Sequence, residues 1–268
     1  MNKLLIYIVS YQRKEYTQGN IMSITKVKPP NSQIVVCDNG STDGTREWLE
    51  ENQEKYELGL IFPEENLRVG GAWTLLTNYF KEDEFDYILL LDNDHWMVPI
   101  NESWFEECLE LYKQNPNLGS LGLLGRRKPG WFGNQTMQDH NFKNRKNFKN
   151  QEYYSTIFYA GCRLDIFNLW HQTMKKWPHK FIGDKIGRHY HTLGYNTIKL
   201  HPGYALDISQ YTFDNPQHEE YNKWFFNKER TMEGYLKKIK RTPKHGERIK
   251  IIQEKFGEDF LNLLFPNT

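Results

Sequence analysis

Residues 3–10 form a short apolar run rich in β-branched and aromatic side chains. A helical period takes over between Tyr16 and Ile24 and stops at Pro29-Pro30. This predicts strand, loop, helix and turn. The pattern then repeats. Gln33–Cys37 has the continuous apolar character of a buried strand, Asp38-Asn39-Gly40-Ser41 is turn chemistry, and Thr42–Tyr56 reads as a helix with acids in its early turns. Leu60–Phe62 is a third strand, Gly70-Gly71 opens a helix that runs through Phe80, and Asp86–Leu91 is a fourth strand that ends in acids. The predicted order is βαβαβαβ, the pattern of an α/β domain with a mostly parallel sheet flanked by helices. Ligands of such sheets lie beyond the carboxyl ends of the strands, and Asp38 and Asp92 stand at two of those ends.

Farther along, a helix is expected over Ser103–Gln114 and a strand over Leu118–Leu124. Residues 126–150 show no period and hold seven basic residues against Asp139, which predicts a mobile basic loop. Strand and helix patterns return over residues 154–208. Near the end, Ile249, Ile252, Phe256, Phe260 and Leu263 recur at helical spacing, a stripe expected to pack into the core.

Charge adds an asymmetry that the formal total of +1 conceals. Residues 1–125 carry 10 Lys/Arg against 20 Asp/Glu, a net of −10, whereas residues 126–268 carry 25 against 14, a net of +11. A basic half attracts anionic partners by long-range steering. The apolar stretch Leu4–Val9 is far too short to span a membrane, and no later run approaches the ~18 apolar residues that a span needs. Cys37, Cys108 and Cys162 are odd in number and scattered, without metal-ligand spacing, which fits a reducing compartment. A cytoplasmic protein is expected; the oligomeric state is not legible.

The chemistry concentrates in DYILLLDNDHWM, where two carboxylates two residues apart follow a buried strand into a turn. Asp-x-Asp alone is equally a turn with Asx hydrogen bonds. At a strand end facing the ligand crevice, however, paired carboxylates repel unless a cation or donor lies between them. Hard oxygen ligands of this kind suit Mg²⁺ or Mn²⁺ bridging phosphate oxygens.

Four segments in order resemble the family 2 glycosyltransferases of the GT-A (nucleotide-diphospho-sugar transferase) fold. Ser10-Tyr11-Gln12-Arg13 resembles the family's first strand end. Asp38, Ser41, Asp43 and Thr45 match its D-x-x-S-x-D-x-T segment, Asn66–Gly71 with Asn78 resemble its N-x-G-rich segment, and Asp92 and Asp94 match its metal-binding acids. The resemblance implies a metal-dependent transfer, with inversion, of a sugar from a UDP-linked donor to a hydroxyl acceptor. Asp38 would accept a hydrogen bond from the base, Asp92 would contact the ribose or metal, Asn93 would lie in the nucleotide-sugar site, and Asp94 would bind the metal directly. Ser10, Tyr11, Arg13 and Arg68 would lie near the base or phosphates, with a surface salt bridge the alternative for each arginine. Gly70 and Gly71 would let the backbone approach the donor. Asp43 reads instead as a helix cap.

The general base implied by FIGDKIGRHYHTLGY is Asp184, which reads equally as a helix cap. Gly161 resembles the strand lining the acceptor side. A further metal ligand is expected near His201 or Asp207. On this reading residues 1–210 form the catalytic domain, with a donor half over 1–97 and an acceptor half over 98–210, and residues 211–268 form a helical extension packed on it. In the basic loop, Arg126, Arg127, Lys128 and Trp131 are acceptor candidates, because cationic groups interleaved with aromatic rings suit an anionic glycan or a nucleic acid, hydroxylated DNA included. Two alternatives stay open: a non-catalytic glycan- or nucleic-acid-binding protein on the same fold, and a nucleotidyltransferase.

Overall fold

A computed structural model describes residues 2–79, 84–98, 103–123, 136–138, 162–163, 194–201, 204–208 and 245–264. The first units follow the predicted alternation: β1 (Leu4–Ser10), α1 (Lys14–Val27), β2 (Ser32–Asp38), α2 (Thr45–Glu51), α3 (Gln53–Tyr56), β3 (Leu58–Ile61), α4 (Arg68–Tyr79) and β4 (Tyr87–Asp92). There follow β5 (His95–Met97), α5 (Trp104–Gln114), β6 (Leu118–Gly122), β7 (Thr136–Gln138), β8 (Cys162–Arg163), β9 (Asn196–His201), β10 (Ala205–Asp207), α6 (His245–Phe256) and α7 (Glu258–Leu264).

Eight strands form one sheet in the order β3-β2-β1-β4-β8-β6-β9-β7, and β10 and β5 form a separate two-stranded ribbon. The pairs β1–β2, β1–β4, β2–β3 and β6–β9 are parallel, while β8 runs antiparallel to both β4 and β6. Alternating side chains explain the continuous apolar runs. From β1, Leu4, Ile6 and Ile8 pack on one face with Ile21 and Ile24 of α1 and Phe105 and Cys108 of α5. Leu5, Tyr7 and Val9 pack on the other with Ala72, Trp73 and Leu76 of α4. Both faces are covered, so neither alternates with polar residues.

Two predicted helices need correction, and one strand was not predicted. The helix expected over residues 42–56 starts only at Thr45, after Gly44 in the left-handed region (φ 85°), and breaks at Asn52. The Asn52 side chain donates to the Trp48 carbonyl at 2.9 Å, a local bond that competes with continuing the helix. The terminal helix is likewise divided, by Gly257 at φ 94°. Strand β5 was not foreseen, since three residues after a turn carry too little period to register. Its partner comes from far away in sequence: β10 pairs antiparallel with it, setting Asp207 opposite His95 and Leu206 opposite Trp96.

The terminal stripe behaves as expected. Ile252, Phe256 and Phe260 are buried in a third cluster with Tyr16, Trp96, Leu206 and Ile208, and Ile249 and Leu263 pack against it half-buried. Trp96 is the hub, with both Phe256 and Phe260 at 5.4 Å between ring centroids. Among the described residues, no helix is long and apolar enough to cross a membrane.

Candidate donor and metal site

Parallel register brings the carboxyl ends of β2, β1 and β4 to one level. Ser10 lies opposite Asp38, and Val9 lies opposite both Cys37 and Asp92. The chain leaves β4 in a tight turn and immediately enters β5. Asp92, Asp94 and His95 thereby offer ligand atoms that all lie within 4.8 Å of one another. His95 is 6% exposed, and its Nε2 stands 3.7 Å from Asp94 Oδ1. Two carboxylates and an imidazole at that spacing fit a divalent cation.

Helix α1 holds this turn. Residues 13, 17, 20 and 23 occupy one helical stripe, and each is polar and buried. Arg13 Nη1 donates to Asp94 Oδ2 at 3.0 Å and Nη2 to Asn93 Oδ1 at 2.8 Å. Asn93 Nδ2 donates to the Gln12 carbonyl at 3.0 Å and to Thr17 Oγ1 at 3.2 Å. Asn20 Nδ2 donates to the carbonyls of Asp92 (3.0 Å) and His95 (2.6 Å), spanning the turn from end to end. Ser23 Oγ accepts from Met97 N at 3.0 Å. Gln12 and Arg13 both take left-handed backbone angles (φ 54° and 59°), which non-glycine residues adopt at a cost. That strain brings the Arg13 side chain over the turn.

Asp38 is completely buried at the end of β2. Its Oδ1 accepts from Ser41 Oγ, its Oδ2 accepts from Ser41 N at 3.3 Å, and Arg46 Nε lies 3.9 Å from Oδ2. Burial pushes its carboxyl above the ordinary value, and the hydrogen bonds from Ser41 and the charge of Arg46 oppose the rise. Arg46 also lies 4.4 Å from the centroid of the Phe62 ring. Asn39 ties this loop to the start of α4: its Oδ1 accepts from Leu67 N at 2.8 Å, and its Nδ2 donates to Asn66 Oδ1 at 3.1 Å.

The structure therefore gathers Ser10, Arg13, Asp38, Asp92, Asn93 and Asp94 at one place, though not all on its surface. Ser10 is buried and shares a hydrogen bond with Thr17 at 2.7 Å. Asn93 is 2% exposed, and its amide is committed to α1 and the loop before it. Tyr11 is half-buried, and Arg68 is exposed at the first position of α4. The glycine at position 71 is explained by packing, since a Cβ there would meet Leu67 Cβ at 2.6 Å; its neighbour Gly70 is half-buried in the same turn. Gly44, not Asp43, takes the N-cap position of α2; Asp43 stands one residue earlier, where its carboxylate accepts from Thr45 N at 3.2 Å and from Lys14 N at 3.0 Å. Asp207 is buried on β10 opposite His95, and His201 ends β9. Asp184, Gly161, Arg126, Arg127, Lys128 and Trp131 lie outside the described residues.

Sequence reasoning missed His95 and Asn20. The signal for His95 was its place directly after the second acid. For Asn20 it was the polar stripe at i, i+4, i+7 and i+10 on an otherwise core-facing helix.

A mostly parallel α/β sheet with an acidic turn at the end of its fourth strand defines a GT-A-type nucleotide-diphospho-sugar transferase fold. The chain belongs to glycosyl transferase family 2, whose model matches residues 5–168. A poly-β-1,6-N-acetyl-D-glucosamine synthase of Staphylococcus epidermidis is 25% identical over 114 residues, which are 42% of this chain and 26% of that protein. The chain thus matches about a quarter of that relative's length. S. aureus TarS residues 1–349, solved with UDP-GlcNAc, superposes with TM-score 0.52 at 16% identity over 99% of this chain and 73% of that one. The mannosyltransferase PcManGT of Pyrobaculum calidifontis, solved with GDP-Man and Mn²⁺, gives TM-score 0.53 at 12% identity over 98% and 78%.

Proposed function

We propose that this protein is a metal-dependent glycosyltransferase that moves a sugar from a UDP-linked donor to a hydroxyl acceptor with inversion. The observation that carries this reading is the Asp92, Asp94 and His95 cluster at the carboxyl ends of the parallel strands, on the level of Asp38. Asp92, Asp94 and His95 would hold the cation, and the imidazole favours Mn²⁺ over Mg²⁺, which prefers oxygen ligands. When bound, the cation offsets the charge that the departing diphosphate gains.

The chain's own groups do the rest. Asp38, with Ser41 and Arg46, forms the base-recognising corner, and Ser41 must turn its hydroxyl for a base N–H to reach the carboxylate. Arg68 stands at the start of α4 as a phosphate partner. Asp184 takes the acceptor's proton as the acceptor oxygen bonds the anomeric carbon and the bond to the diphosphate oxygen breaks. Residues 1–97 form the donor half, 98–210 the acceptor half and 211–268 an extension on the domain. The net charge of +11 over residues 126–268 favours an anionic acceptor, of which hydroxylated DNA is one form, with Arg126, Arg127, Lys128, Trp131 and Gly161 as the acceptor-side residues.

A thermal-shift screen of UDP- and GDP-sugars with and without Mn²⁺ tests the donor reading. Stabilisation by UDP that needs Mn²⁺ and is lost in Asp94→Ala supports it; no response to any nucleotide refutes it. Transfer of labelled sugar, lost in Asp184→Asn with donor binding retained, tests the base.

A further inference from the structure

We infer that Arg13 is a built-in counter-cation that occupies part of the cation's place on Asp94, so that metal loading is a competition with the chain's own guanidinium. The inference rests on the metal reading above and adds a residue that sets how tightly the metal is held.

The geometry is specific. One nitrogen of the Arg13 fork donates to Asp94 Oδ2, the other grips Asn93, and the guanidinium carbon lies 4.6 Å from the centroid of the Tyr16 ring. Arg13 is 9% exposed and its backbone sits in the left-handed region, so the charge is fixed in place and does not sweep through solvent. Asp94 has 15% side-chain exposure, and a carboxylate so sheltered needs a partner in the absence of metal. Arg13 supplies it at 3.0 Å, on the carboxylate whose other oxygen stands 3.7 Å from His95 Nε2 within the ligand triad.

Charge follows from this arrangement. Asp92 and Asp94 bring two negative charges, and the guanidinium cancels one. What remains attracts a dication weakly, because affinity for hard cations rises with ligand charge. A diphosphate brings the missing negative charge, so donor and metal bind better together than either does alone. The same pair lets the turn keep its shape between turnovers, when no cation is there to separate the acids.

The test is Mn²⁺ alone, titrated against the thermal midpoint of the full chain, for wild type, Arg13→Gln, Arg13→Lys and Asp94→Asn. Gln keeps a donor for Asn93 and removes the charge. Arg13→Gln should melt lower than wild type without metal, and its half-maximal Mn²⁺ concentration should fall by about tenfold or more. Arg13→Lys keeps the charge but loses the fork and the stacking on Tyr16, so its half-maximal Mn²⁺ concentration should lie between those of wild type and Arg13→Gln. A role in packing alone would lower the metal-free midpoint and leave the Mn²⁺ concentration unmoved, which would overturn the inference. A weaker Mn²⁺ response in Arg13→Gln would overturn it too. If Arg13→Gln folds only with Mn²⁺ present, the inference is supported; if it folds under neither condition, a half-maximal Mn²⁺ concentration for Arg13→Lys about tenfold or more below that of wild type overturns it, because the charge is still there. The metal reading fails separately, by wild type and Asp94→Asn responding alike.

Discussion

Gly19 lies in the middle of α1, where alanine would ordinarily stabilise a helix by about 1 kcal/mol. Here the opposite is expected. A Cβ at this position would stand 2.0 Å from Trp96 Cζ2, 2.4 Å from Cη2 and 2.5 Å from Cε2, against ordinary contact beginning at 3.4 Å. The ring must retreat by about 1.4 Å, and it has nowhere to go. It is fully buried, its Nε1 donates to the Tyr16 carbonyl at 3.0 Å, and Phe256 and Phe260 close its other sides. Overpacking of this kind costs about 1–3 kcal/mol, and the anchored ring argues for the upper end. Subtracting the helix gain leaves Gly19→Ala destabilised by about 2 kcal/mol, a fall of roughly 4–8 °C in Tm for a chain of this size. Urea unfolding of Gly19→Ala, Trp96→Leu and the double variant measures it. Trp96→Leu should cost less in the alanine background than alone, by about 1 kcal/mol or more. A Gly19→Ala variant as stable as wild type, or strict additivity of the pair, would refute the packing argument.

Asn93→Ala should lose about 2–3 kcal/mol in the same assay, because it strips partners from the Gln12 carbonyl, Thr17 and Arg13 at once; a loss under 1 kcal/mol would mean that water replaces the amide. Asp38 holds its proton more tightly in the fold than in the unfolded chain. The stability it contributes is therefore complete below the unfolded carboxyl value and lost as pH rises through the folded one. Urea midpoints should shift in favour of Asp38→Asn relative to wild type between pH 4 and pH 7, and a constant difference would contradict this. Burial pushes the Cys37 thiol up to about 11 and raises Cys108 further. In a Cys162→Ser background, a disulfide reagent at pH 8 should therefore label neither until urea unfolds the chain.

The fold of residues 4–92 was legible because local period and turn chemistry agree there. Strands β1, β2 and β4 are apolar runs that end in Ser10, Asp38 and Asp92, and parallel pairing needs no information beyond those runs to bring the three to one level. Strand β5 escaped because its pairing is set by residues 205–207, more than a hundred positions later, and its own three residues look like the tail of a turn. Asn93 and Ser10 were assigned outward by their place in a motif, and nothing in the sequence said that α1 would consume both side chains. Conversely, the buried stripe of Arg13, Thr17, Asn20 and Ser23 was visible as helical spacing. Its meaning emerged only once the partner turn was known. Asp184 and the basic loop rest on sequence alone.

Trp96 and its two phenylalanines also fix an order of construction. The strands and helices of residues 4–92 emerge from a ribosome before residues 205–264, and their βαβ units can pair as they appear. The acidic turn gains its ribbon partner only after residue 207 and its aromatic cover only after residue 260. A nascent chain thus forms the Asp38 corner early but carries the Asp92–His95 turn with Trp96 bare until residues 245–264 have followed. Premature termination would leave a sticky indole beside an unsupported pair of acids, and quality control would have both to recognise.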